Sequence, residues 1–145
     1  MWPDTDPAGI VWWGVFCRYF ENAEEDLFRV LGRERTSVLR DLQIFMPRTS
    51  FNCGFRSPAK LGDEIAVHVG VGEITERRVG YVFDVRERGT DRLILEASYR
   101  VACVEAKTFA PRAFPPELVT LLTPALCATE TQRRFATESR SRGEQ

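Results

Sequence analysis

Asp4-Thr5-Asp6-Pro7-Ala8-Gly9-Ile10-Val11-Trp12-Trp13-Gly14 is the stretch on which the reading of this 145-residue sequence turns. An Asp side chain accepts hydrogen bonds from backbone N–H groups just ahead of it, Pro7 presets its own φ, and Gly9 permits a positive φ. The run therefore predicts a tight turn with a carboxylate fixed beside it. Downstream, Phe16, Tyr19, Phe20, Ala23, Leu27 and Leu31 recur at helical spacing, while Arg18, Glu21, Glu24, Glu25 and Arg29 fall largely on the other side. This spacing predicts an amphipathic helix from Gly14 or Val15 to Leu31, with Gly32 as its stop. The first N–H groups of a helix lack internal partners, and the aligned peptide dipoles leave that end partly positive. A free N–H near Trp13 or Gly14 can hold the oxygen of a polarised carbonyl, with Asp6 nearby as base or nucleophile. An Asp before Pro-x-Gly is also an ordinary turn former, and the residues alone leave both readings open.

With 43% hydrophobic and 28% charged residues, the chain has enough apolar material for one globular core. A formal net charge of -1 gives no electrostatic case for a nucleic-acid or membrane-surface partner. No apolar run approaches the roughly 20 residues that cross a bilayer, and the expected location is cytoplasmic. Cys17, Cys53, Cys103 and Cys127 are widely separated with no Cys-x-x-Cys pair, which predicts reduced, structural thiols. A single histidine, His68, leaves little from which to build a metal site or a His-dependent nucleophile system, and there is no Gly-x-Ser-x-Gly elbow. Hydrolytic chemistry here calls for a carboxylate.

Beyond the helix, residues 42–55, 64–74, 78–87 and 93–105 read as strands. One face of the second carries Ile65, Val67, Val69 and Val71, and the other Ala66, His68, Gly70 and Gly72. Val79, Tyr81, Phe83 and Val85 repeat the alternation, as do Leu93, Leu95, Ala97, Tyr99, Val101 and Cys103. Gly89-Thr90-Asp91 is a hairpin signal, and Ser57-Pro58 with Leu61-Gly62-Asp63 marks a turn. Consecutive hairpins imply an antiparallel sheet, and one long helix lying on it gives an α+β fold. Pro115 to Leu122 predicts a short helix. The expected organisation is a single domain over residues 1–124 and a polar, mobile tail over 125–145.

Asp6-Pro7-Ala8-Gly9-Ile10-Val11-Trp12, followed by an aromatic residue and Arg18-Tyr19-Phe20-Glu21, resembles the signature of the 4-hydroxybenzoyl-CoA thioesterase family of hotdog-fold proteins. Pro58-Ala59-Lys60-Leu61-Gly62-Asp63-Glu64, Arg77-Arg78 and Pro115-Pro116-Glu117-Leu118 are similar to later family segments, so the resemblance spans roughly residues 2–122. It implies a hotdog fold, an antiparallel sheet wrapped around one long central helix. It also implies a thioester hydrolase that converts an aryl- or acyl-CoA to free acid and CoA, as in aromatic degradation. Asp6 would be the catalytic carboxylate, nucleophile or general base, and the Trp13 backbone N–H would polarise the carbonyl. The resemblance implies no cofactor, coenzyme A being part of the substrate, and a homodimer assembling to a homotetramer with the site between subunits. This sequence departs from the family at Trp13, where relatives often carry Tyr or His, and at Gly14-Val15, where they often carry Pro-Asn or Ala-Asn. The family also has a full strand ahead of the aspartate motif. With only Met1–Asp4 there, the expectation is an uncovered sheet edge or a start upstream of Met1.

Further candidates follow from chemistry and place. Gly9, Trp12 and Phe16 are expected to line the substrate site with Trp13, while Trp12, Trp13, Phe16 and Phe45 form either an acyl pocket or ordinary core. Arg77 and Arg78, at a strand junction, match basic family residues that meet the phosphates of coenzyme A; a solvated turn pair is the plainer reading. Arg56 and Lys60 are weaker basic candidates. His68 in mid-strand and Glu21 in the helix read as structural. Two alternatives keep the fold: a thioesterase acting on an acyl carrier protein, and a non-catalytic protein that binds acyl thioesters.

Overall fold

The computed structural model describes residues 15–60 and 62–127. Asp6, Gly9, Trp12 and Trp13, and the tail beyond Cys127, lie outside the described residues. Helix α1 spans Val15–Val30, as the periodicity predicts, and the chain turns at Gly32, whose φ of 99° suits a residue without Cβ. Its apolar stripe is buried: Phe16, Phe20 and Phe28 are at most 1% exposed. Each such ring contributes about 1.5–3 kcal/mol of burial free energy.

A second helix follows, α2 (Arg35–Leu42), in a stretch whose periodicity did not single it out because Val38 is its only buried residue. Gln43 ends it in the left-handed region at φ 54°, so the expected strand from residue 42 begins two residues late. That strand is also broken. β1 (Ile44–Phe45) pairs with β6 (Val104–Glu105) in a small separate sheet, and β2 (Arg48–Phe55) resumes beyond Pro47, which has no N–H to give a ladder. The expected strand over 93–105 divides in the same way into β5 (Leu93–Val101) and β6. Between them, β3 (Ile65–Ile74) and β4 (Val79–Glu87) fall where alternation placed them.

The main sheet is antiparallel throughout, in the order β2-β5-β4-β3. Phe51, Cys53 and Phe55 face the same side as Leu95, Ala97 and Tyr99 of β5 and Tyr81, Phe83 and Val85 of β4. This side carries α1: Phe20 meets Phe83 with ring centroids 4.8 Å apart and Phe51 at 6.2 Å, while Phe16 meets Phe55 at 5.8 Å. A helix cradled by an antiparallel sheet is the hotdog architecture. Short helix α3 (Pro116–Leu122) buries Leu118 and Leu122. Residues beyond it remain attached for a few positions: Leu126 bridges Val71 in parallel, and the Cys127 N–H donates to the Val71 carbonyl at 2.8 Å.

The two edges of the sheet differ. β2 is an eight-residue edge strand with Phe51 and Phe55 about half exposed. β3 is the opposite edge, met only near Val71 among the described residues.

Candidate functional site

Two ends of the sheet can be distinguished by following the pairing across it. At one end Phe55 pairs with Leu95 and Leu95 with Val85; at the other Arg48 pairs with Val101 and Val101 with Val79. Val79 and Val85 are six residues apart on β4, roughly 20 Å at the rise of an extended strand.

The first end receives the start of α1. Val15 and Phe16 form its opening turn and are buried, and Phe16 packs edge-on against Tyr19 at 5.7 Å as well as against Phe55. Phe16 is therefore packed into the core at the helix N-terminus, 1% exposed. The motif residues Asp6, Gly9, Trp12 and Trp13 run directly into this turn in sequence, although they lie outside the described residues. The opening N–H groups of α1 have no partner within the helix, which makes this end an acceptor site for partial negative charge. Beside it, an open groove of about 430 Å³ runs between α1 and β3, lined by Tyr19, Asn22, Ala23, Asp26, Ile65, Val67 and Val69. The Asp26 carboxylate in the groove is taken by Arg29 at 2.7 Å.

The second end holds the basic residues. Arg77 and Arg78 form the β3–β4 turn, closed by the Thr75 N–H donating to the Arg78 carbonyl at 2.8 Å. Both are exposed, and neither has an ion-pair partner among the described residues. The structure thus brings Arg77 and Arg78 together but not to Phe16 of their own chain. Phe45 is also away from Phe16: it stacks on Phe109, centroids 5.8 Å apart and 16° from parallel, on the small β1–β6 sheet. It does not join an acyl pocket with Phe16.

Other candidates have partners within the chain. Arg56 pairs with Glu96 at 3.2 Å on the outer face of the sheet. Lys60 gives its backbone N–H to Asp63 Oδ2 at 2.9 Å, and Arg92 donates to the same oxygen at 3.2 Å, so the 58–63 turn is pinned by Asp63. His68 bonds Asp84 through Nδ1 at 2.6 Å on the outer face, away from α1. Cys17, Cys53, Cys103 and Cys127 are free thiols, and burial pushes Cys53 up to about 11, out of range for a thiolate nucleophile.

A polar cluster escaped the sequence reading. Glu24, placed by helical spacing among the polar residues, is 1% exposed. Its carboxylate accepts from the Tyr99 hydroxyl at 2.6 Å and from Arg48 Nη2 at 3.1 Å, and lies 3.3 Å from Arg35 Nε. Burial, reinforced by the Glu24 charge, raises the Tyr99 and Tyr81 phenols above their ordinary range. Arg48 arrives there through a bulge. Arg48 pairs with Val101 and Ser50 with Arg100, so Thr49 is the extra residue that turns Arg48 to the helix side. The missed signal was the 40° that separates Glu24 from Phe20 on a helical wheel, close enough to share the buried face.

An antiparallel sheet cradling one central helix defines a hotdog-fold protein. Residues 1–122 match the thioesterase-like superfamily, and the chain belongs to it. The acyl-CoA thioesterase YbgC of Haemophilus influenzae is 27% identical over 115 residues, covering 79% of this chain and 83% of the relative. A 1,4-dihydroxy-2-naphthoyl-CoA hydrolase of Crocosphaera subtropica is 25% identical over 105 residues, covering 72% and 77%. Among solved structures, a 1,4-dihydroxy-2-naphthoyl-CoA thioesterase from Synechocystis superposes with a TM-score of 0.75 at 18% identity, over 84% of this chain and 89% of that one. At that identity the likeness speaks to the fold. Among the described residues no helix is long and apolar enough to cross a membrane, and no group of His, Cys, Asp or Glu could hold a metal ion.

Proposed function

We infer that this chain is an acyl-CoA thioesterase, hydrolysing an aryl- or acyl-CoA thioester to the free acid and CoA in the cytoplasm. The observation that carries the reading is the superfamily match through residue 122, which includes Asp6-Pro7-Ala8-Gly9 and runs on into a helix that begins at Val15. The Trp13 N–H, at the approach to that helix, would polarise the thioester carbonyl. Asp6 would either activate water or attack the carbonyl directly, giving a mixed anhydride and CoA thiolate; water then opens the anhydride. The names of the relatives from Crocosphaera and Synechocystis, with the aromatic pair of Phe16 and Phe55, favour an aryl acyl group.

The functional unit in this reading is a homodimer joined through β2, which pairs again into a homotetramer. Three features support the dimer: among the described residues β2 is an edge with one side unpaired, its Phe51 and Phe55 are half exposed, and Arg77 and Arg78 stand at the end of the sheet opposite α1's start. Two β2 strands paired antiparallel about a two-fold reverse direction, so the basic end of one copy falls beside the helix-start end of the other. Arg77 and Arg78 would then meet the phosphates of CoA bound to the partner. The test is thiol release from benzoyl-CoA and from short- and long-chain acyl-CoA esters. Asp6→Ala is expected to lower turnover by at least about 10²-fold with the assembly intact; unchanged hydrolysis would remove Asp6 from the mechanism.

A further inference from the structure

Arg48 opens the edge strand β2, and the bulge at Thr49 carries it onto the helix side of the sheet. One nitrogen of its guanidinium is committed inward: Nη2 donates to Glu24 at 3.1 Å and lies 3.4 Å from the Tyr99 hydroxyl, with Glu21 at 3.6 Å. The group also lies over the Tyr99 ring, 4.6 Å from its centroid. Nε and Nη1 make no hydrogen bond among the described residues, and the side chain keeps 36% of its surface exposed. A carboxylate is costly to bury, and Glu24 is buried among Arg35, Arg48 and Tyr99 with no part in the chemistry of Asp6 and Trp13. Its effect is to hold Arg48 by Nη2 while the side chain stays partly exposed at the strand edge.

In its own chain that guanidinium is far from the start of α1, at the opposite end of the sheet. Antiparallel pairing of β2 with a second copy changes its surroundings. The Arg48 end of one strand comes beside the Phe55 end of the other, and Phe55 touches Phe16 in the first turn of α1. Because the bulge has put Arg48 on the helix side, the guanidinium arrives on the face that carries the partner's α1.

We propose that Arg48 is a substrate-binding residue that acts in trans: an N–H of its guanidinium not taken by Glu24 binds an oxyanion of the thioester substrate seated at the α1 N-terminus of the second copy. Glu24 is the positioning residue that aims it. This rests on the thioesterase reading and its β2-paired dimer. A fixed guanidinium charge with a remaining N–H donor suits an oxygen of a phosphate or carboxylate, so the oxyanion is a phosphate of CoA or an acid group on the acyl portion.

The experiment follows thiol release by wild type, Arg48→Gln and Arg48→Lys from benzoyl-CoA, succinyl-CoA and benzoyl-pantetheine, with the dimer verified for each. Contact with a CoA phosphate raises KM for Arg48→Gln about ten-fold on both CoA esters and leaves the pantetheine ester, which has no phosphate, unchanged. Contact with the acyl acid raises it on succinyl-CoA alone. Either result supports the proposal. Arg48→Lys retains a charge beside Glu24 and is expected to fold and to fall between the two. Mixing Asp6→Ala and Arg48→Gln protomers tests action across the dimer. In a statistical mixture at low substrate, one intact composite site per heterodimer restores about a quarter of wild-type activity, against about a twentieth if Arg48 serves its own chain. Unchanged KM on all three esters, or no recovery in verified heterodimers, overturns the role of Arg48 while leaving the thioesterase reading in place. A wild type that releases no thiol overturns both.

Discussion

The two halves of α1 are anchored to the sheet by different kinds of chemistry. Its first half is held by rings: Phe16 on Phe55 and Phe20 on Phe83 and Phe51. Its second half buries Phe28 too but adds Glu24, a buried carboxylate that ties α1 to Arg35 of α2, Arg48 of β2 and Tyr99 of β5. Apolar contact is non-directional and spread over area, so the first anchor gives way gradually when a side chain changes. The second depends on every polar group finding its partner, and removal of one strands the rest. In the proposed function the gradual anchor lies where an acyl group would be accommodated, and the all-or-none anchor lies where Arg48 would be aimed.

The comparison breaks most visibly at Glu24. Glu24→Ala removes the carboxylate that Arg35, Arg48 and the Tyr99 hydroxyl share, and is expected to lower unfolding free energy by about 3–5 kcal/mol in urea titrations. A loss under about 1 kcal/mol would mean that the cluster is solvated and not an anchor. Tyr99→Phe removes one hydrogen bond to a charged group and should cost about 1.5–3 kcal/mol near neutral pH. The same residue sets an alkaline limit. Burial and then the Glu24 charge raise the Tyr99 and Tyr81 phenols, so the folded chain keeps protons that the unfolded chain loses near the ordinary tyrosine value of 10.0. Stability is then full below about pH 10 and falls as pH rises beyond it. In Tyr99→Phe that alkaline fall should be shallower, as read from melting temperature between neutral and strongly alkaline pH; an identical slope would exclude the phenol as its source. At the aromatic anchor the effect is smallest. Phe20→Leu, which keeps an apolar side chain of nearly the same bulk, should cost less than about 1.5 kcal/mol. A cost equal to that of Glu24→Ala would erase the distinction between the two anchors.

How far the sequence could be read follows the same division. The helix from Val15, the alternation in β3 and β4, and the short helix after Pro115 were legible because each is written in local period and punctuation. The long strands expected over 42–55 and 93–105 were not legible as they fold. Their breaks at Pro47 and at Ala102-Cys103 come from a change of pairing partner, as β1 and β6 leave the main sheet to pair with each other. The motif at Asp6 and its place ahead of the helix were legible from residue types alone. Phe45 could not be kept apart from Phe16 by sequence, since both are aromatic residues in apolar surroundings and only the pairing of β1 with β6 separates them.

By itself, then, the sequence determined the order of helix and hairpins and the family signature, because these depend on neighbours in the chain. The tertiary structure decided that Glu24 is inside, that a one-residue bulge turns Arg48 toward α1, and that Arg77 and Arg78 stand at the far end of the sheet from Phe16. The physical reason is that burial, strand register and distance across a sheet are properties of pairs of segments, and no single segment carries them.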